Sequence, residues 1–259
     1  MSSLAYLLLC AIATTPLVAA QCERSMLEEA AAQYVTAQTS GQISDLTYLA
    51  DTVEHTENFQ PVDIATGLLA TALKVDNSRS LLDTTSCATY TELIITDPAH
   101  PYVIGAQMRF TDNQITQIDR IITDEGDWLF DAASTLQYAQ GENWDPIPED
   151  QRDSREVIQA GGDAYLDLFN DASVQVPWGE PCARLEGGMY TGTGSPTDSC
   201  NVGVPSGLDL TNRRYVIDEV MGTVDVFLNF GGATGLPDSH EFRLEGGKLR
   251  YVHTMTIMA

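Results

Sequence analysis

The chain is poor in positive charge. Of its 259 residues, 13 are Lys or Arg and 37 are Asp or Glu, a formal net charge of −24. Phosphate groups are bound by clustered Lys and Arg, so nucleic acid and anionic membranes are not expected as partners. Long apolar runs are also lacking. The run from Leu4 to Ile12 is too short to span a bilayer, and no later segment is longer, so membrane insertion is not expected. There is no Gly-x-Ser-x-Gly, Walker loop, dinucleotide fingerprint or His-Glu-x-x-His. No CxxC or HxxxH spacing offers a zinc site. Asp238-Ser239-His240 is contiguous along a strand and does not have the geometry of a hydrolase triad. No nucleotide, flavin or metal is therefore expected, and no Asn-x-Ser/Thr glycosylation acceptor occurs.

What is present points to the secretory pathway. Residues 1–20 read as a cleavable signal, with Pro16 and a small-residue pattern, Val18-Ala19-Ala20, before Gln21. The segment before the apolar run has no Lys or Arg. Cys10 falls in this signal, which leaves Cys22, Cys87, Cys182 and Cys200. An even number in a secreted chain implies two disulfides, with three connectivities open. The favoured pairing is Cys22–Cys87 and Cys182–Cys200, which keeps each bridge within one half.

The pattern divides the mature chain in two: residues 21–137, a linker over 138–153 with Gly141, Pro146 and Pro148, and residues 154–259. Each half opens with a helix, roughly 24–38 and 154–169, on apolar residues at helical spacing. A second helical patch is expected near 61–73. Strand-like runs follow at 89–96, 102–110 and 114–123. In the second half an irregular stretch, 177–207, precedes strands at 213–219, 223–230, 240–245 and 248–256. Helix first and long antiparallel hairpins last is an α+β order. It resembles the NTF2-like (SnoaL-like) plan, a helix packed on a curved antiparallel sheet to form a cone, here twice in tandem.

The last hairpin carries the main candidates. Gly246-Gly247 supplies the positive φ of a tight turn. A two-residue turn pairs Phe242 with Tyr251, Arg243 with Arg250 and His240 with His253. Alternation then places His240, Phe242, Tyr251 and His253 on one apolar face, as the floor of a pocket or an unusually polar core. Two imidazoles there can donate or accept protons near neutral pH. A one-residue slip in register would separate them. Asp218 interrupts an apolar strand. Turned inward, it either joins a histidine as an acid–base dyad or makes a salt bridge to Arg214 or Arg250. Arg213, Arg214, Arg243, Lys248 and Arg250 either bridge to Glu219, Glu241 and Glu245 or anchor an acidic, enolate-like ligand. Trp178 and Tyr190 lie in the irregular stretch, where they lid a pocket or cap the core.

Four segments carry a family resemblance: Asn212–Glu219, Phe227–Gly232, Pro237–Arg243 and Gly247–Thr254. Cys87 and Gly126-Asp127-Trp128 belong to it in the first half. They resemble a family of secreted fungal proteins, some similar to hetero-Diels–Alderases of tropolone–sesquiterpenoid pathways. The resemblance implies a cofactor-free pericyclase that joins a tropolone o-quinone methide to a humulene-type alkene, with terpenoid and polyketide small molecules as substrates. Such a step rests on orientation and polarisation rather than on a nucleophile. In that setting His253 or His240 protonates a leaving hydroxyl. Tyr251 hydrogen-bonds the tropolone oxygens, and Arg250 or Arg214 holds its anion. A cofactor-free dehydratase or isomerase, a noncatalytic carrier and a pocketless interaction protein are the alternatives, and a homodimer stays open.

Overall fold

The structure is a computed structural model and describes residues 22–258. The signal expected over residues 1–20 lies outside them. Both disulfides have the favoured pairing, Cys22–Cys87 and Cys182–Cys200, consistent with a secreted protein. Among the described residues, no helix is long and apolar enough to cross a membrane.

The first half opens with α1 (Arg24–Ser40), which buries Leu27, Ala30, Ala31, Tyr34 and Ala37 and ends at Gly41 with φ 69°. Then come β1 (Leu49–Glu57), β2 (Gln60–Pro61), β3 (Asn77–Asp83), β4 (Ala88–Ile95), β5 (Tyr102–Thr111) and β6 (Gln114–Thr123). They form one sheet in the order β2-β1-β6-β5-β4-β3. A short helix, α2 (Ala132–Ala139), leads towards the second half. That half has α3 (Arg155–Leu168), then β7 (Trp178–Glu186), β8 (Met189–Tyr190), β9 (Leu210–Asp218), β10 (Thr223–Phe230), β11 (Leu236–Glu245) and β12 (Lys248–Thr256). Its order, β8-β7-β12-β11-β10-β9, repeats the first. In both sheets the first long strand returns parallel to the last, and the other neighbours are antiparallel. The fold is α+β with two tandem halves, as expected.

Some elements differ from expectation. Of the helical patch near 61–73, only a 3-10 turn at Leu68–Ala70 forms. β1 and β3 lie where no strand was expected, in segments rich in Asp, Glu, Ser and Thr. β7 crosses the stretch read as irregular because Gly179 and Pro181 interrupt its pattern.

Packing explains why alternation is faint. Helix α1 covers one face of the first sheet, and α3 covers one face of the second. The opposite faces of the two sheets meet in a seam with Leu81, Tyr90, Ile121, Val216, Phe227 and Met255. Central strands are thus buried on both faces; every residue of β4 is buried.

Two reciprocal clasps close this seam. Arg24, at the start of α1, donates to Asp218 at 2.8 and 2.9 Å. Arg155, at the start of α3, donates to Asp83 at 2.8 and 2.7 Å. Each aspartate also accepts a backbone N–H from the other half: Asp218 from Leu82 and Asp83 from Ile217, both at 2.9 Å. Asp218 therefore bonds neither Arg214, Arg250 nor a histidine. Its partner is Arg24, which lies far away in sequence.

The final hairpin turns on Gly246-Gly247 with Glu245 opposite Lys248 and Leu244 opposite Leu249, as expected. Beyond that, Arg250 is an extra, bulged residue. The register moves by one, so Arg243 faces Tyr251, Phe242 faces Val252, Glu241 faces His253 and His240 faces Thr254. The expected pairing of His240 with His253 is thereby corrected. The bulge sends the two rings to opposite faces of the sheet. The β5–β6 hairpin has the same bulge, at Thr116.

Candidate functional site

The face under α3 holds a cavity of about 230 Å³ with mostly apolar walls. Tyr165, Phe169, Arg184, Phe230, His240 and Thr256 are among the lining residues. Because β11 alternates, Asp238 and His240 share this face, and the β11–β12 register sets Thr256 opposite Asp238. Asp238 Oδ1 bonds His240 Nδ1, and Thr256 Oγ1 donates to Asp238 Oδ2 at 2.6 Å. Asp238 is wholly buried and His240 nearly so. With Nδ1 held by a carboxylate, Nε2 is the ring nitrogen left for proton transfer.

Tyr165 faces the histidine with ring centroids 5.8 Å apart. Its Oη accepts from Arg184 Nη1 at 3.2 Å, which leaves the phenol proton free to be donated. Burial pushes that phenol up to about 12 despite the arginine, so it stays protonated at neutral pH. Arg184 is balanced by Glu186 at 3.0 Å. Trp128, from the end of the first half, lines the cavity and donates to Glu186 at 3.0 Å. The site thus combines a histidine held by a buried carboxylate, a neutral phenol donor and aromatic walls.

The first half lacks this arrangement. Arg120 pairs with Glu57 on β1 where Thr254 pairs with Glu186 on β7. The wholly buried Arg120 side chain bonds Tyr34 at 3.1 Å, Glu57 at 2.9 Å, and Gln38. A long, fixed cation thus occupies the space between α1 and the first sheet.

His253 belongs to the seam. Nδ1 bonds Glu92 at 3.1 Å, and Nε2 bonds Glu142, in the segment after α2, at 2.6 Å. Arg79 bridges Glu92 at 3.1 Å and Glu241 at 2.6 Å, and its guanidinium lies 3.5 Å from the Trp144 ring centroid. Burial alone would lower His253, but Glu142 and Glu92 more than reverse this and push it up to about 10. Burial alone would raise Glu92, but Arg79 and His253 bring it down to about 2. Burial raises Glu241 to about 7. Ligand atoms of Glu92, Glu241 and His253 lie within 4.8 Å of one another, a spacing that a metal ion can use. Arg79 already supplies a cation between the two carboxylates. Glu241 and Arg243, on the face of β11 opposite His240, are both buried.

The other sequence candidates are dispersed. Phe242 is wholly buried behind the cavity and meets α3 at Gly162. Trp178 packs edge-on against Tyr165, with centroids 5.8 Å apart. Arg214 lies over Phe59, 4.4 Å from its centroid, and 3.8 Å from Asp119. Tyr190, Tyr251 and Arg250 line a separate cleft. Tyr165, Arg184 and Asp238 are the residues that sequence reasoning missed. The spacing of Asp238 and His240, two apart on a strand, was the available signal. Tyr165 falls within the helix expected over 154–169, with nothing local to mark it as a site residue.

Residues 151–256 match a family model described as Domain of unknown function (DUF8021). No curated protein matches the chain. Solved structures match less than half of this chain. An NTF-2 like protein of unknown function from Burkholderia xenovorans is 14% identical over 39% of this chain and 84% of its own, with a TM-score of 0.31. A Kribbella flavida protein provisionally named as a ketosteroid isomerase is 10% identical over 39% of this chain and 80% of its own, with a TM-score of 0.31. A DUF4783 family protein from Bacteroides ovatus is 19% identical over 36% of this chain and 96% of its own, with a TM-score of 0.27. Each half of this chain is a helix packed on a six-stranded sheet of the same strand order.

Proposed function

We propose that the second half is a cofactor-free acid–base catalyst acting on a small, largely apolar substrate. The His240–Asp238 pair in an apolar cavity carries this reading. A histidine whose Nδ1 is held by a buried carboxylate is positioned to move a proton at Nε2. The Tyr165 hydroxyl supplies a hydrogen bond to oxygen as negative charge develops on it. Isomerisation and dehydration are the reaction types that this pair serves directly.

The finer reading is a hetero-Diels–Alderase, and the sequence resemblance supports it. Protonated His240 gives Nε2–H to the hydroxyl of a hydroxymethyl tropolone. The C–O bond breaks and water leaves. The ring hydroxyl then releases its proton to solvent, which gives the neutral o-quinone methide. Its exocyclic carbon and its carbonyl oxygen add across an alkene of a humulene-type terpene, closing a dihydropyran ring. A cavity of about 230 Å³ is below the usual size for drug-like ligands, so it holds one partner and leaves the other at the mouth by Trp128.

The test incubates the purified protein with humulenol and a quinone-methide precursor, and resolves products by chiral chromatography against a protein-free control. A single enantiomer formed above background supports the cycloaddition. Racemic product at the background rate, with no faster loss of water from the precursor, rejects the hetero-Diels–Alder reading. Enzymatic loss of water followed by racemic addition leaves dehydration as the activity.

A further inference from the structure

The bulge at Arg250 has a second effect. It takes one residue out of the pairing on both sides of β12, since neither β11 nor β7 matches Arg250. Bulges of this kind re-aim a side chain and are common beside functional sites. The equivalent bulge in the first half carries Thr116, which is short and uncharged. Only the second half presents a cation there.

That cation is unclaimed. Arg24, Arg79, Arg120, Arg155 and Arg243 each reach a carboxylate within 2.9 Å. Among the described residues, Arg250 has no ion pair and no hydrogen bond. Its guanidinium lies 4.1 Å from the centroid of the Tyr251 ring and is partly exposed. Arg109 and Arg152 also lack a carboxylate, but they donate to internal carbonyl oxygens, whereas the Arg250 donors have no such partner and stay available to a ligand.

Arg250 borders a cleft of about 390 Å³ between α2, β7, β8 and the loop held by the Cys182–Cys200 bridge. This is within the range of small-molecule sites. Tyr138 and Tyr190 form a flat wall, stacked 4.5 Å apart at an interplanar angle of 12°. Tyr251 contributes a third ring. Asp198 also lines the cleft, but its carboxylate is occupied. It accepts from the backbone N–H groups of Thr193, Gly194 and Ser195 at 2.7, 2.9 and 3.1 Å, and from Thr193 Oγ1 at 2.7 Å. Burial and the nearby Glu142 hold the Tyr190 phenol above its ordinary range, so it stays a neutral donor.

We propose that this cleft binds a small planar organic anion, an aromatic or conjugated carboxylate, with Arg250 as the bidentate cation and the Tyr138–Tyr190 stack as its wall. The site is separate from the His240 cavity and does not depend on the reading given to that cavity.

The test titrates the whole protein with benzoate, benzamide and cyclohexanecarboxylate, followed by ligand-observed NMR and calorimetry. Benzoate is expected to bind saturably and about tenfold more tightly than neutral benzamide, the scale of a charged hydrogen-bonded pair. It should also outbind non-planar cyclohexanecarboxylate. Arg250→Gln should weaken benzoate about tenfold or more with only a small change in Tm, because no intramolecular ion pair is lost, only the contact with the Tyr251 ring. Arg250→Lys should recover part of the affinity, since an ammonium lacks the fork. His240→Gln should bind benzoate as the wild type does. Equal affinity for benzoate and benzamide, or unchanged binding in Arg250→Gln, overturns the proposal. So does the absence of saturable benzoate binding in the millimolar range. Loss of benzoate binding in His240→Gln would move the anion to the His240 cavity and overturn the cleft as its site. Equal binding of the two carboxylates would remove the flat wall from it.

Discussion

Replacing Asp218 by alanine tests how the halves are held together. The carboxylate is wholly buried and accepts from both Arg24 nitrogens and from the Leu82 and Val220 N–H groups. Alanine leaves the buried N–H groups unsatisfied and Arg24 without its partner. The Arg24 side chain is itself 35% exposed, so the loss falls at the lower end of the range for a broken buried pair, about 3 kcal/mol. For a chain of this size, each kcal/mol lowers Tm by about 2–4 °C, so a fall of roughly 6–12 °C is expected. Asp83→Ala should behave alike, because Arg155 and Ile217 N repeat the arrangement. The two aspartates grip adjacent strands, so the double mutant should lose less than the sum of the single losses. Urea titration and thermal melting read all three variants. A loss below about 1 kcal/mol, typical of exposed ion pairs, would refute the clasp. An Asp218→Ala protein that stays stable but loses turnover would return Asp218 to the chemistry.

The seam should respond to alkali. His253 is raised from 6.5 to about 10, so its stabilisation is complete below about pH 6.5 and is lost as pH rises through about 10. Denaturation from pH 7 to 10 should show falling stability in the wild type and a flatter profile in His253→Gln. Glu92 acts in the opposite sense: its contribution is present above about pH 4.5 and is lost as pH falls towards 2. The disulfides should rank by loop length. Removing Cys22–Cys87, with a separation of 65 residues, should cost about 4 kcal/mol, and removing Cys182–Cys200, with 18, about 3 kcal/mol. Paired Cys→Ser variants in denaturant check this order.

The repeated helix-then-hairpin order was legible because α1, α3 and the long hairpins have clear periods and turns. β1, β3 and β7 were not. Their polar residues face the clasps, the buried Arg120 network and the Arg184–Glu186 pair, so a polar pattern there marks buried ion pairs rather than a loop. The last hairpin shows the limit more sharply. Its Gly-Gly turn was readable, but nothing local announces the bulge at Arg250, and that single residue decides which face each histidine occupies. Asp238 and His240 were adjacent enough to pair on paper, since alternate strand residues share a face. Glu142 and His253 are 111 residues apart, and Arg24 and Asp218 are 194 apart, so only the folded chain brings them together.

The proposed acid–base chemistry belongs to His240, under α3, while His253 is held in the seam. The direct measurement compares turnover per folded molecule in His240→Gln and His253→Gln, with folded fractions taken from circular dichroism and loss of water from the hydroxymethyl tropolone as the readout. The account predicts a fall of about 10²–10⁴ in His240→Gln, the usual range for general acid–base catalysis, and near wild-type turnover in folded His253→Gln. Full activity in His240→Gln together with loss in His253→Gln would contradict it and place the reaction in the seam.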